Sequence, residues 1–361
     1  MSKLELSNNI LNELNTLEDL SFISRRSNSK DWERFLNEIK YAPFLYTNES
    51  ITYQEEYRKN DFKNYLDLSS IILFKGSIIG IFPIGVCVIR EKYFIFSQTN
   101  FNGLNEPPPL NKPIFNNLCS EKIINKVSGE IYLIIEKIAK LLNIKAWRSA
   151  DNFEGFSGIT PWHLLSMRKG SKVSLIHELY VDLTLDLSFI KSKFRKSYKA
   201  LIKEEKFDLT SFVMSRNDHK TWSEFKKLHL HSAGRVTRTD ESWKMHFENI
   251  NNNCGMLIYV RDKEGLFLGG GFFNFSKDEA VYSVAAYNRD LFHLPLGHIV
   301  QFRAINELKK MSIKWYRIGH LPFKGDEVLP SDKYLNIGIF KKGFATKILP
   351  KYIFKHKLLE L

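Results

Sequence analysis

Twice along this chain the same coarse order of elements is readable: helix, a group of hairpin-linked strands, a long helix, and a strand. In the first half a helix is expected near Asp31–Ile39, with strands near Ser70–Phe74, Ile78–Ile89 and Lys92–Gln98. A long helix follows over Glu121–Leu142, where Ile131, Ile134, Ile135, Ile138, Leu141 and Leu142 keep helical spacing, and a strand begins near Lys145. The second half offers a strand at Asp208–Val213, a helix at Asp218–His231 and another at Glu241–Ile250 with Asp240 as its N-cap. Strands at Gly255–Arg261, Leu266–Phe275 and Glu279–Tyr287 come next. A helix then opens at Pro295 and runs to Lys310, before a strand at Lys314–Ile318. A repeated order of this kind confines the chain to layered α/β (α+β) architecture, built twice. At 361 residues it also exceeds what one core usually organises, and the division is placed at 1–178 and 179–361.

Between the halves lie an alternating strand, Leu175–Leu185, and the segment Lys191–Lys206. As a single helix the latter puts Phe194, Tyr198, Leu201 and Ile202 on one stripe and Lys191, Arg195 and Lys199 on another. That reading makes it a basic amphipathic helix.

A net charge of +13 points towards acidic partners, among them phosphorylated cofactors, nucleotide-sugars, tRNA or an anionic membrane face. A solvated surface accounts for the same charge. The start, from Met1 to Leu20, carries acidic residues and no long apolar core, unlike a signal peptide. The most apolar run, Ile71–Ile89, is interrupted by Lys75, Gly76, Gly80, Pro83 and Gly85, too often to cross a bilayer core of about 30 Å. It reads as buried strands around a turn at Lys75-Gly76-Ser77. Cys87, Cys119 and Cys254 give no disulfide framework, and neither C-x-x-C nor H-E-x-x-H spacing occurs. A cytoplasmic, metal-free protein is expected, with the inner membrane face as its one peripheral location.

Four blocks carry a resemblance. FRKSYKALIKE (194–204) resembles the segment that opens the catalytic half of Fem-type transferases, and LHSAGRVTRTDESW (230–243) their helix-loop-helix. VYSVAAYNRDLFHLPLGHIVQFRAI (281–305) is similar to their central strand, loop and helix, and IGIFKKGFA (337–345) to their closing K-x-G-F/W element. The first half matches only by element order and by GIFPIGV (80–86). The resemblance implies two GNAT-like domains, each a mixed, mostly antiparallel sheet flanked by helices, the second one catalytic. It also implies transfer of an acyl or aminoacyl group from acyl-CoA or aminoacyl-tRNA to an amine. The acceptor it suggests is a cell-envelope, surface-polysaccharide or nucleotide-sugar precursor.

In that fold a gap beside the central strand takes the donor, and the next helix turns its free amides towards the donor's phosphates. Here the strand is Glu279–Tyr287, and Asn288–Leu294 with Gly297 would line the site. HLPLGH replaces the Q/R-x-x-G-x-G/A loop of coenzyme A users, which weakens the case for acyl-CoA. His298, one turn into the helix, is the first candidate base, with a capping or packing role as its alternative. His320 is a weaker candidate. Tyr282 and Tyr287 are candidates too, but a separation of five puts them on opposite strand faces, with the core as the bland reading. Arg235 and Arg238, in a loop, suit carboxylate or phosphate. Asp240 and Glu241 are bases or helix caps. Arg195, Lys196 and Lys199 with Lys341 and Lys342 are candidates for holding phosphates, or a solvated face. His229 and His231 diverge and make a poor metal pair, while Trp222, Trp243 and Trp315 read as core. Two rivals remain at this stage: a non-catalytic basic module binding nucleic acid or anionic lipid, and a scaffold in polysaccharide assembly.

Overall fold

The computed structural model describes residues 19–59, 63–97, 109–151 and 158–358. Residues 1–18 of the leading stretch, and Gln98, lie outside the described residues. Two units are present, Met1–Leu175 with Lys351–Leu361, and Ile176–Pro350.

The first unit runs β1 (Leu20–Ser24), α1 (Ser29–Glu38), α2 (Asn48–Arg58), β2 (Lys63–Asp67), β3 (Ser70–Phe74), β4 (Ser77–Phe82), β5 (Gly85–Ile89) and β6 (Lys92–Phe96). Then come β7 (Leu110–Asn111), β8 (Ile114–Phe115), α3 (Glu121–Leu141), β9 (Ala146–Asp151) and α4 (Pro161–Arg168). Strands β1-β3-β4-β8 form one sheet and β2-β5-β6 another. Lys75 and Gly76, at φ 51° and 78°, make the expected turn between β3 and β4. The stretch expected as one strand over Ile78–Ile89 is two strands in different sheets. Pro83 has no N–H for a ladder, and the chain leaves the first sheet there. Helix α3 starts where Ser120 accepts from the Ile123 amide, and it buries Ile131, Ile134, Ile135 and Ile138. With β8 it forms the crossover from β7 to β9, which pair parallel through Leu110↔Ser149 and Asn111↔Ala150.

Strand β10 (Lys172–Asp182) leads into the second unit. After it come α5 (Leu187–Lys193), α6 (Tyr198–Leu201), β11 (Leu209–Val213), α7 (His219–Ala233), α8 (Asp240–Asn251), β12 (Gly255–Asp262), β13 (Phe267–Phe275) and β14 (Glu279–Tyr287). The rest is α9 (Leu296–Lys310), β15 (Trp315–His320), α10 (Asp332–Lys342) and β16 (Lys347–Lys357). The sheet order is β11-β12-β13-β14-β15-β10, antiparallel except where β14 meets β15. One face packs Phe273, Phe275, Ala280 and Tyr316 against Val300, Ala304 and Ile305 of α9. On the other, Leu257, Phe272, Val284 and Ala286 meet Trp222 and Phe225 of α7 and Trp243 and Phe247 of α8. Residues from Lys351 onward pair antiparallel with β9, Ile353 facing Ala150, so the end of the chain expected in the second domain belongs to the first unit.

Three local expectations need correction. Thr239, not Asp240, caps α8: its hydroxyl accepts from the Ser242 amide, and Asp240 is the first helical residue. Pro295 occupies the N-cap position of α9 rather than its first turn. The segment 191–206 is not one helix. Phe194 is extended, at φ −61° and ψ 146°, because its ring is buried against Phe302 and Phe344 and the next amide, of Arg195, donates to the Gly343 carbonyl at 2.9 Å. Tertiary contacts outweigh the helical pattern, and Lys191, Arg195 and Lys199 no longer share a face.

Candidate active site

The second unit's central strands part. β14 and β15 are paired only through Glu279↔Trp315, Ala280↔Tyr316 and Val281↔Arg317. Beyond that point β14 continues to Tyr287 beside β13, while Gly319 and His320 of β15 pair with Leu179 and Glu178 of β10. A wedge therefore opens at Tyr282.

A register shift shapes this wedge. Phe272 faces Val284 but Phe273 faces Tyr282, so Ser283 is an extra residue in β14. The bulge resets the alternation, and Tyr282 and Tyr287 fall on the same face, against the expectation of opposite faces. Their hydroxyls meet at 2.9 Å. Ala285, between them on that face, remains exposed. Tyr282 stacks on Phe273 with ring centroids 5.1 Å apart. Burial pushes the Tyr282 phenol up to about 12 and raises that of Tyr287 as well, so both stay protonated at neutral pH. Nearby, the Tyr316 hydroxyl donates to Oε1 of the fully buried Gln301 at 2.6 Å.

Helix α10 reaches into the wedge. The Lys341 ammonium lies 5.7 Å from the centre of the Tyr282 ring, and a Cβ built on Gly319 would come within 2.6 Å of its Nζ. Gly319 has φ 140°, so the absent side chain serves both its backbone and this close approach. The Lys341 ammonium makes no ion pair or hydrogen bond with a described residue, and burial lowers its pKa to about 8. Lys342, its neighbour, faces solvent.

At the first turn of α9 no side chain caps the helix. A Cβ on Gly297 would stand 3.2 Å from Phe340 and 3.7 Å from Tyr287. His298 is enclosed by Tyr198, Phe340 and Phe344 at centroid distances of 4.4, 5.1 and 5.9 Å, and burial brings its pKa to about 4. Two of the resembling blocks meet here, since the Tyr198 ring lies over Gly343, where any Cβ would collide with it. The Tyr198 hydroxyl donates to the Phe340 carbonyl. The Arg195 guanidinium sits 5.8 Å from the Tyr198 ring, while Lys196 and Lys199 are exposed.

Helix α7 ends beside the C-terminal end of β14, where the Ser232 hydroxyl donates to the Tyr287 carbonyl. In the loop that follows, Arg235 is exposed, whereas Arg238 donates to Nε2 of His229 at 3.2 Å and lies over Trp243. Burial, with Arg238 adding to it, lowers His229 to about 4. Asp240 is exposed and bound to Lys226 at 2.6 Å, which holds its carboxyl below the usual range. The two loop arginines thus separate, one towards solvent and one into a histidine-tryptophan contact.

The sequence did not point to Gln301, Gly319 or the buried cluster of Glu178, Glu279 and Arg317, where Arg317 contacts Glu178 at 3.3 Å and Glu279 at 3.5 Å. Two acids and an arginine within strand segments rich in apolar and aromatic residues, HELYVDL, EAVYSV and WYRIGH, are the signal that marks the cluster. Among the described residues no group of three or more metal-binding side chains occurs, and no helix is long and apolar enough to cross a membrane.

The sequence matches no protein-family model and no curated protein. In fold, the chain is similar to FemX, with a TM-score of 0.66 over 93% of this chain and 96% of that one, at 11% identity. The chain has the Fem-like tandem GNAT fold. Similar too are L-PGS from Bacillus licheniformis (TM-score 0.57, 12% identity, 92% of both chains) and the C-terminal domain of a putative lysylphosphatidylglycerol synthetase from Agrobacterium fabrum. The latter gives a TM-score of 0.52 at 11% identity, over 91% of this chain and 92% of that one.

Proposed function

We propose that the second unit is an N-acyltransferase, carrying an acyl or aminoacyl group from aminoacyl-tRNA or acyl-CoA onto the amine of a cell-envelope or nucleotide-sugar precursor. The observation that carries this reading is the wedge between β14 and β15 with an unpaired lysine ammonium aimed into it. The acceptor nitrogen attacks the donor's carbonyl carbon, and the C–N bond forms as the carbonyl oxygen becomes an oxyanion. Lys341 stabilises that oxyanion in a site where water competes poorly. As the bond to the leaving oxygen or sulfur breaks, Tyr282 donates its proton to that atom, Tyr287 passes its own proton to Tyr282 through their shared hydrogen bond, and solvent returns a proton to Tyr287. The proton lost by the amine goes to solvent, which reaches the wedge at Ala285. His298 is assigned to packing the first turn of α9, because three rings enclose it and an imidazole with a pKa near 4 takes up protons poorly at neutral pH.

Of the two donors, aminoacyl-tRNA is favoured. Lys193, Arg195, Lys196 and Lys199 are exposed beside the element that carries Lys341, a surface suited to a phosphate chain. The α9 entrance has Gly297 alone in place of a glycine loop. The likeness in fold to FemX and to a putative lysylphosphatidylglycerol synthetase supports envelope acceptors, handled in the cytoplasm at the inner membrane face. The decisive assay is mass spectrometry after incubation with charged tRNAs or acyl-CoAs and amine acceptors. Mass transfer to an acceptor is expected. Salt-sensitive RNA binding without transfer from any donor would instead identify a non-catalytic module.

A further inference from the structure

The bulge that gives the wedge its shape is held from the far side of the sheet. Asn249 of α8 and Asn274 of β13 are buried carboxamides, 6% and 3% exposed. Asn249 Nδ2 donates to Asn274 Oδ1 at 3.0 Å, and Asn274 Nδ2 donates to the Ser283 hydroxyl at 2.9 Å. That hydroxyl in turn donates to the Val281 carbonyl at 3.4 Å. The three bonds run in one direction, each group accepting from the last and donating to the next. They end on Val281, the last residue of β14 paired with β15.

Ser283 is the extra residue of the bulge, so the chain grips β14 at the point where it leaves its neighbour. Two alternatives compete there. A regular ladder keeps every residue of β14 paired and turns Tyr287 to the face opposite Tyr282. The bulge leaves one residue unpaired and brings both hydroxyls together. A buried carboxamide left without its partner is costly, so the Asn274 contact favours the bulged register over the regular one.

We infer that Asn249, Asn274 and Ser283 form a clamp of positioning residues that locks this register and aims the Tyr282–Tyr287 pair at the donor. The clamp touches no substrate. It acts through Tyr282, and in that respect it rests on the transferase reading above.

Ser283→Ala and Asn274→Ala remove the clamp, while Ser283→Thr keeps the hydroxyl. Hydrogen exchange, which needs no turnover, should show the amides of residues 282–287 exchanging about tenfold faster or more in Ser283→Ala, with β12 unchanged and Ser283→Thr close to the native protein. With the donor found by the screen, kcat should drop about tenfold to a hundredfold in both alanine variants at nearly constant KM. The double variant should lose little beyond either single one, since both break the same chain. Exchange that stays native in Ser283→Ala overturns the clamp, as does a kcat within twofold of native or a failure of Ser283→Thr to restore it. A native protein inert towards every donor removes the transferase reading, and the exchange experiment still decides whether the clamp exists.

Discussion

Replacing Lys341 by methionine should make the protein more stable and less active at once. In the fold, burial brings the ammonium from 10.5 to about 8. A shift of that size corresponds to about 3 kcal/mol of unfavourable charge burial at neutral pH. The residue keeps some exposure, so solvent screening reduces this to about 1–2 kcal/mol. Methionine fills similar space without the charge, and the melting temperature at pH 7 should rise by about 2–8 °C. The pH dependence follows from the direction of the shift. Between about 8 and 10.5 the unfolded chain holds the proton that the folded protein has released, so native stability climbs with pH there. The advantage of Lys341→Met should therefore shrink between pH 7 and pH 9.5. Turnover should fall about a hundredfold, the usual scale for losing an oxyanion partner. Scanning calorimetry at the two pH values and the transfer assay at pH 7 test all three points. A variant that melts lower than the native protein, or one with native turnover, would refute the assignment of Lys341 as an unpaired buried cation in the wedge.

Tyr282→Phe should lower kcat about tenfold to a hundredfold with little change in KM, and an equal loss in kcat and rise in KM would point to donor binding instead. Gly343→Ala places a methyl group in the Tyr198 ring and should destabilise the second unit by about 2 kcal/mol or more, whereas Gly343→Ala combined with Tyr198→Ala should recover part of that loss in a denaturant titration. His356 is buried between the Tyr132 hydroxyl at 2.9 Å and the Ser149 hydroxyl at 2.8 Å, with its pKa brought to about 4. Its neutral form is favoured in the fold, so that stability is present above 6.5 and is lost as pH falls to 4. The loss is about 3 kcal/mol, and a denaturation midpoint that stays flat from pH 7 to pH 4 would contradict it.

Spacing alone located most of the elements that build the site. The run Ile131 to Leu142 specified α3, and Glu279–Tyr287 and the helix after Pro295 emerged close to their expected bounds, because a one-sided apolar pattern records which face meets a core. The blocks FRKSYKALIKE and IGIFKKGFA were visible as motifs, but not the contact between them, with Tyr198 seated over Gly343. Helix α10 and strand β16 escaped the reading. Gly338 is the one buried residue of α10, so no apolar stripe marks that helix. Among the site residues, Lys341 and the tyrosines were candidates from the start, whereas Gln301 and Gly319 look ordinary until a neighbour from another element arrives.

What the sequence determined by itself was the architecture and the kind of chemistry to look for: two layered α/β units, a basic surface, and aromatic and cationic residues around a central strand. Tertiary structure alone decided which of those residues face one another. Alternation along β14 separates Tyr282 from Tyr287, and only a one-residue bulge, set by pairing with β13 and anchored from α8, reunites them. Periodicity is a local property of the chain, while a bulge and a parted pair of strands arise from the register between segments, which no single stretch of residues encodes.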